Sequence, residues 1–187
     1  MSISETQKPF IHASIDLETF GTNPDSVVLS AGIVFFDWRT AEIVDEMYSV
    51  FNVKQQIDRG RKIDPGTTAW WMEQSVEARA LLAAKQQNVP EALGIITAAF
   101  EHYNPTGVWG MGSDFDCVLL GELYRTFGRS KPWSYGKSRC LRTLKNFVQP
   151  KTIAMPENVG VHHNALDDAI YQARLVAAIC KANDLSF

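Results

Sequence analysis

The chain has 187 residues, 45% hydrophobic and 21% charged, the balance of one globular domain long enough to bury a full core. No apolar run approaches the ~18 residues of a membrane helix, and a net charge of -3 excludes a protein coated for bulk DNA binding. The opening "MSISETQKPF" lacks the basic-then-apolar layout of a secretion signal, and Cys117, Cys140 and Cys180 form no CxxC pair, so a cytoplasmic protein with reduced thiols is expected.

In chain order, Phe10–Glu18, Ser26–Asp37 and Glu46–Val53 read as strands, with short links that predict consecutive antiparallel pairing. "DPGTTAWWMEQSVEARALLAAKQQ" (64–87) opens with a helix-start signal and continues at helical spacing. "VPEALGIITAAFEHY" is a second helix with Pro90 in its first turn. "GVWGMG" (Gly107–Gly112) reads as a short buried strand. "SDFDCVLLGELYRTFG" reads as a helix capped by Ser113 and ended by Gly128. "KPWSYG" is a candidate strand, and "RCLRTLKNFV" and "NALDDAIYQARLVAAICKAN" complete the helices. Three antiparallel strands followed by alternating helices and strands predict an α/β fold: a mixed sheet flanked by helices, as in the ribonuclease H-like architecture. No repeat or linker divides the chain, so one domain over 1–187 is expected.

From Gly121 to Lys151 the basic residues Arg125, Arg129, Lys131, Lys137, Arg139, Arg142, Lys145 and Lys151 face one acid, Glu122. Such a run is either a solvated face or a local surface for phosphate.

The segment "HHNALDDA" (His162–Ala169) holds two histidines and two aspartates. If Asn164 caps the last helix, Asp167 is its third residue, where an acid supports backbone N–H groups. At ~100° per residue, Leu166, Ala169, Ile170, Ala173, Ala177 and Cys180 form an apolar stripe. Asp167 lies with Arg174 and Lys181 on a wet face, and Asp168 lies in line with Leu175 and Ile179 on a semi-buried flank. A carboxylate there needs a partner. Asp167 is therefore read as structural and Asp168 as functional. His163, on the loop before the cap, can reach over the site; either histidine can equally be an ordinary surface or packed residue.

"IDLET" sets Asp16 and Glu18 two apart on one strand face, where they repel unless a cation lies between them or water solvates them. "GSDFDCVLL" offers Asp114 and Asp116, and spacing does not decide between them. Four oxygen donors without thiolate favour magnesium or manganese over zinc. Two such ions suit phosphoryl transfer, with a histidine taking the proton from water.

In this order and separation, "IDLET", "FDCVLL" and "HNALDDA" resemble the three motifs of the DEDDh 3'-5' exonucleases. "GRKIDPGTTAWWMEQS" and "PWSYGKSRCLRTL" are similar to the branch of exonuclease VIII relatives, phage 3'-5' exonucleases and RNase AS-like exoribonucleases. The resemblance implies that Asp16, Glu18, Asp116 and Asp168 hold two Mg²⁺ or Mn²⁺ ions and that His163 is the general base. His163, Ala165 and Asp168 satisfy its H-x-A-x-x-D pattern, whereas Gly112 stands where an asparagine is usual. It further implies substrate contacts at Trp70 and Trp71, with Trp71 preferred for base stacking, at Arg139 and Arg142 for phosphate, and at Thr19. The partner implied is a single-stranded DNA or RNA 3' end, with no membrane; relatives often form homodimers. Trimming of adenylate-rich RNA tails and a silent binding module are the rival readings.

Overall fold

The computed structural model describes residues 10–112, 114–148, 156–157 and 160–186. Period-two alternation organises the first strand, β1 (Ile11–Thr19). Ile11, Ala13, Ile15 and Leu17 enter one apolar cluster, which leaves His12, Ser14, Asp16 and Glu18 on the opposite face. β2 (Val28–Asp37) pairs antiparallel with β1, and β3 (Ile43–Val50) antiparallel with β2. Short links allow only this antiparallel arrangement. β4 (Gly107–Gly110) then runs parallel to β1, and β5 (Ser138–Cys140) parallel to β4. The described residues thus form a five-stranded mixed sheet in the order β3-β2-β1-β4-β5.

Helices cover both faces. α4 (Val89–Tyr103) and α5 (Asp116–Thr126) pack Val89, Leu93, Ile96, Phe100, Leu119, Leu120 and Leu123 against Ile15, Ile33 and Phe35. On the other face α6 (Leu141–Phe147) and α7 (Ala165–Ala182) pack against Val34, Phe36 and Trp109. β2 is sandwiched between these layers, and all its residues are buried. Before them in the chain, α1 (Val53–Ile57), α2 (Pro65–Glu73), α3 (Val76–Arg79) and a 3₁₀ turn (Ala80–Ala83) surround a smaller cluster. There Trp71 packs with Leu29, Val50, Ala78 and Leu81. Among the described residues no helix is long and apolar enough to cross a membrane.

Three expectations about elements are corrected. The third strand ends at Val50, because Asn52 caps α1 by accepting the N–H of Gln55. The single helix over 64–87 is broken at Gln74, whose backbone is extended, and Ser75 caps α3 through the N–H of Ala78. "KPWSYG" is no strand. Trp133 instead stacks on Phe100 with ring centres 5.1 Å apart, and Pro132 has no N–H for a ladder. The strand of that region begins at Ser138. Ser113 lies outside the described residues; the residue at the cap of α5 is Phe115, which makes no side-chain cap bond. Gly128, at φ 69°, follows the end of α5 as expected.

One close approach sets the layer spacing. Gly32 of β2 is the register partner of Asp16, and the first turn of α7 lies directly on it. A Cβ at Gly32 would overlap the backbone carbonyl of Ala165 and the nitrogen of Leu166. Backbone cannot swing away as a side chain can. Gly32→Ala should therefore lower the unfolding free energy by about 3 kcal/mol, the upper range of overpacking, as read by urea denaturation. A loss below about 0.5 kcal/mol, typical of surface changes, would contradict this placement of α7.

Candidate active site

The polar face of β1 turns Asp16 and Glu18 toward α7. Asn164 caps α7, accepting the N–H groups of Leu166 and Asp167 at 3.0 and 3.3 Å. The two aspartates of its first turn then diverge. Asp167 accepts the N–H of Val161 at 2.8 Å and tightens the entering loop. Asp168 accepts the N–H of His163 at 3.2 Å and faces β1. Single carboxylate oxygens of Asp16, Glu18 and Asp168 lie within 4.8 Å of one another. Of the expected stripe of α7, Ala169, Ala173, Ala177 and Cys180 are buried, and the buried face extends further toward the line of Asp168. Leu166 and Ile170 are half-buried, while Gln172, Leu175 and Ile179, in line with Asp168, are at most 3% exposed.

Asp116 stands beside this trio rather than within it. β1 and β4 pair only from His12–Gly107 to Ser14–Trp109. Beyond that, the Asp116 carboxylate bridges the diverging strands, accepting the N–H of Leu17 at 3.2 Å and of Met111 at 2.8 Å. Gly110 makes room for it, since a Cβ there would stand 2.8 Å from its Oδ2. Asp114 is exposed. Of the two acids that spacing left open, Asp116 is the one at the site.

Burial and crowding raise all four carboxyl pKa values. Asp16 is held well above the ordinary range by burial and then by Asp116, Glu18 and Asp168, against one stabilising bond from Gln172. Glu18 is pushed up to about 8 by burial and by the Asp168 and Asp116 charges. Burial lifts Asp116 to about 6, against its two backbone donors and the nearby Arg142. Asp168 is raised by burial, with both histidines opposing. Such a set is costly as neighbouring anions and fits a divalent cation, which hard oxygen donors bind.

A cavity of about 680 Å³ opens over Asp16, Glu18 and Asp168, walled by Thr22, Asp64, Thr67, Trp70, Met111 and Phe115. His163 stands at its rim with φ 65°, a left-handed backbone uncommon for a non-glycine residue. Burial, then His162, lowers its pKa below the ordinary 6.5, so its imidazole is neutral near pH 7 and able to accept a proton. Trp70 meets the His163 ring edge-on at 4.9 Å and is 39% exposed. Trp71 is fully buried, its indole N–H donating to the carbonyl of Thr19 at 2.9 Å. The preference for Trp71 as stacking surface is thus corrected: it has no free face, and Trp70 has one in the cavity.

Thr19 lines the cavity, but its hydroxyl donates to the carbonyl of Gly21 at 2.7 Å. Arg142 donates to the carbonyl of Met111 at 2.8 Å, on the cavity wall. Arg139 does not line the cavity; it donates to the carbonyls of Gly136 and Ser138, and its charge acts on His12 near the far end of β1. Two further residues take part: His162, which the sequence left as the alternative to His163, and Gln172, which the sequence reading missed. His162 lines the cavity, its ring 4.2 Å from that of His163, and the two form a second donor group with Asp168. Gln172 donates from Nε2 to Asp16 at 2.6 Å, with its Oε1 buried and unpartnered. A lone amide on the buried line of Asp168, Leu175 and Ile179 was the signal for it.

Comparison with known proteins agrees with this geometry. A family model described as the 3'-5' exoribonuclease Rv2179c-like domain matches residues 11–180. An exodeoxyribonuclease of Enterobacteria phage T4 is 30% identical over 131 residues, 62% of this chain and 56% of the phage protein, so the chain matches little more than half of that relative. The nuclease domain of 3'hExo, a DEDDh family member bound to rAMP, aligns with a TM-score of 0.60 at 13% identity, over 91% of this chain and 92% of that one. Product-bound exonuclease I gives 0.62 at 19% identity, over 93% of this chain and 44% of that one. The E. coli exonuclease I complex with single-stranded DNA gives 0.60 at 20% identity, over 91% and 40%. At these identities the structural likeness is one of fold, the ribonuclease H-like mixed sheet of the DEDDh exonucleases. The family model spans nearly the whole chain, and the chain belongs to the Rv2179c-like 3'-5' exoribonuclease domain family.

Proposed function

We propose that this protein is a metal-dependent 3'-5' exonuclease that releases nucleoside 5'-monophosphates from single-stranded ends. The observation that carries the reading is the convergence of Asp16, Glu18 and Asp168 beneath a rim histidine in one open cavity. In this reading Asp16, Glu18 and Asp168 hold two magnesium or manganese ions, and Asp116 completes the acid set with the lone pairs left free by its backbone bonds. A bound pair of such ions supplies positive charge against the attacked phosphate and its leaving oxygen. His163 takes the proton of the attacking water at its neutral imidazole. Trp70 offers its exposed face to the terminal base, as aromatic platforms do in single-strand binders. Phe115 and Met111 wall the other side and limit water.

The family model is described as an exoribonuclease and the phage relative as an exodeoxyribonuclease. Both substrates therefore enter the reading, including trimming of adenylate-rich RNA tails. The chain works as one domain in the cytosol, alone or as a homodimer. A silent binding module is the rival, and the presence of competent residues at all five positions, Asp16, Glu18, Asp116, His163 and Asp168, speaks for turnover.

Matched DNA and RNA oligomers labelled at the 3' end distinguish these readings. The expected product is labelled mononucleotide, formed with magnesium or manganese and absent with chelator. Intact oligomers under every divalent metal would end the enzyme claim. His163→Ala should lower kcat by about 10²-fold or more, while manganese binding, measured by calorimetry, survives. An equal loss from His162→Ala and none from His163→Ala would transfer the role. Trp70→Ala should raise KM with little change in melting temperature, whereas Trp71→Ala should cost about 3–5 kcal/mol of stability, as for a buried tryptophan.

The raised carboxyl pKa values also bear on stability. Between the ordinary 4.5 of a glutamate and the folded-state value of about 8 for Glu18, the folded protein binds more protons than the unfolded chain. The carboxyl contribution to stability therefore falls as pH rises through that window, and with three carboxyls raised it outweighs the opposite contribution of His12, whose lowered pKa of about 4 acts only up to 6.5. The metal-free protein should melt at lower temperature at about pH 8 than at about pH 5. Manganese should raise the melting temperature more at the higher pH, where the carboxylates are ionised. Melting that is indifferent to manganese at high pH would speak against the site.

A further inference from the structure

A second cavity, of about 580 Å³, runs along the outer face of α5. Val118, Gly121, Arg125, Arg129, Lys131 and Trp133 line it. Its near end, Val118, is three residues along the chain from Phe115, which walls the acid-bearing cavity. Arg125 is neutralised by Glu122, three residues earlier on the helix. Arg129 and Lys131 pair with no acid among the described residues. The alkyl chain of Lys131 lies over Gly121, and its ammonium stands 5.1 Å from the ring centre of Trp133. Two uncompensated cations thus share a groove whose floor is apolar. The opposite rim of the active-site cavity, on α2, contributes Asp64 and no lysine or arginine. A polyanion leaving the acids is repelled on the α2 side and attracted along α5.

We propose that this groove carries the sugar-phosphate backbone on the 5' side of the nucleotide being removed, with its phosphates on Arg129 and Lys131. This assignment rests on the exonuclease reading and adds to it a path for the rest of the strand. Lys131 lies over Gly121, five residues of helix past Asp116, about 7.5 Å at 1.5 Å each. At roughly 3.4 Å per stacked nucleotide that is about two nucleotides. Substrates shorter than about three nucleotides cannot reach Lys131.

The test uses the full chain and the double variant Arg129→Glu/Lys131→Glu, with Arg174→Glu/Lys181→Glu on the exposed face of α7 as a control of equal charge change. The substrates are an octamer, a dinucleotide and the p-nitrophenyl ester of thymidine 5'-monophosphate, which occupies the metal centre alone. The double variant should raise KM for the octamer about 10-fold or more, with dinucleotide and ester hydrolysis within about twofold of wild type. Two lost phosphate contacts should flatten the salt dependence of octamer binding by about 1.4 in log–log slope. An unchanged octamer KM, with ester hydrolysis intact, overturns the groove. Anisotropy of a labelled octamer in calcium buffer separates this failure from failure of the enzyme reading. Binding that the double variant abolishes, in a protein that cleaves nothing, keeps the groove and removes the nuclease. Binding that the double variant leaves intact, or no binding by wild type, removes the groove.

Discussion

The contact of the α7 backbone with Gly32 is the constraint from which the site follows. Side chains normally hold a helix several ångströms farther from a sheet. At Gly32 no side chain intervenes, and Ala165 and Leu166 rest on the strand itself. Gly32 is also the cross-strand partner of Asp16. The helix therefore touches down beside the acid that its own Asp168 must approach. Asn164 fixes where the helix begins, and so which of two consecutive aspartates faces inward.

Bringing these carboxylates together works against folding. Each loses hydration, and each raises the pKa of its neighbours. The rest of the fold offsets this with directed hydrogen bonds. Asp116 takes two backbone N–H groups where β1 and β4 separate, and Asp16 takes the amide of Gln172. The bonds hold the oxygens in place, Asp16 on the cavity wall and Asp116 beside it. A site under such electrostatic tension favours ligands that bring positive charge, which connects the energetics of the fold to the proposed chemistry.

The tandem Trp70-Trp71 shows how one helix divides structural and binding roles. Adjacent residues on a helix point about 100° apart. Trp71 turns inward, closes the cluster under α2 and ties itself to Thr19 at the end of β1. Trp70 turns into the cavity and packs edge-on against His163. The buried indole thus anchors the helix that presents the exposed one.

Much of this was legible in the sequence because it depends on local spacing. Two-residue alternation in "IDLET" places Asp16 and Glu18 on one face whatever covers them. The cap at Asn164 separates Asp167 from Asp168 by helical angle alone. What failed depended on partners distant in the chain. Trp70 and Trp71 are alike in sequence, and only the packing of Leu29, Val50 and Leu81 decides which is buried. Arg139 lies in the right segment, yet the register of β5 carries it away from the acids. Gln172 lies 156 residues from Asp16 and meets it only because β1 and α7 cross at Gly32. The sequence by itself determined which residue types are available and which face of each element they occupy, because backbone geometry repeats locally. Tertiary structure alone decided which faces meet, because that depends on close packing between segments far apart in the chain.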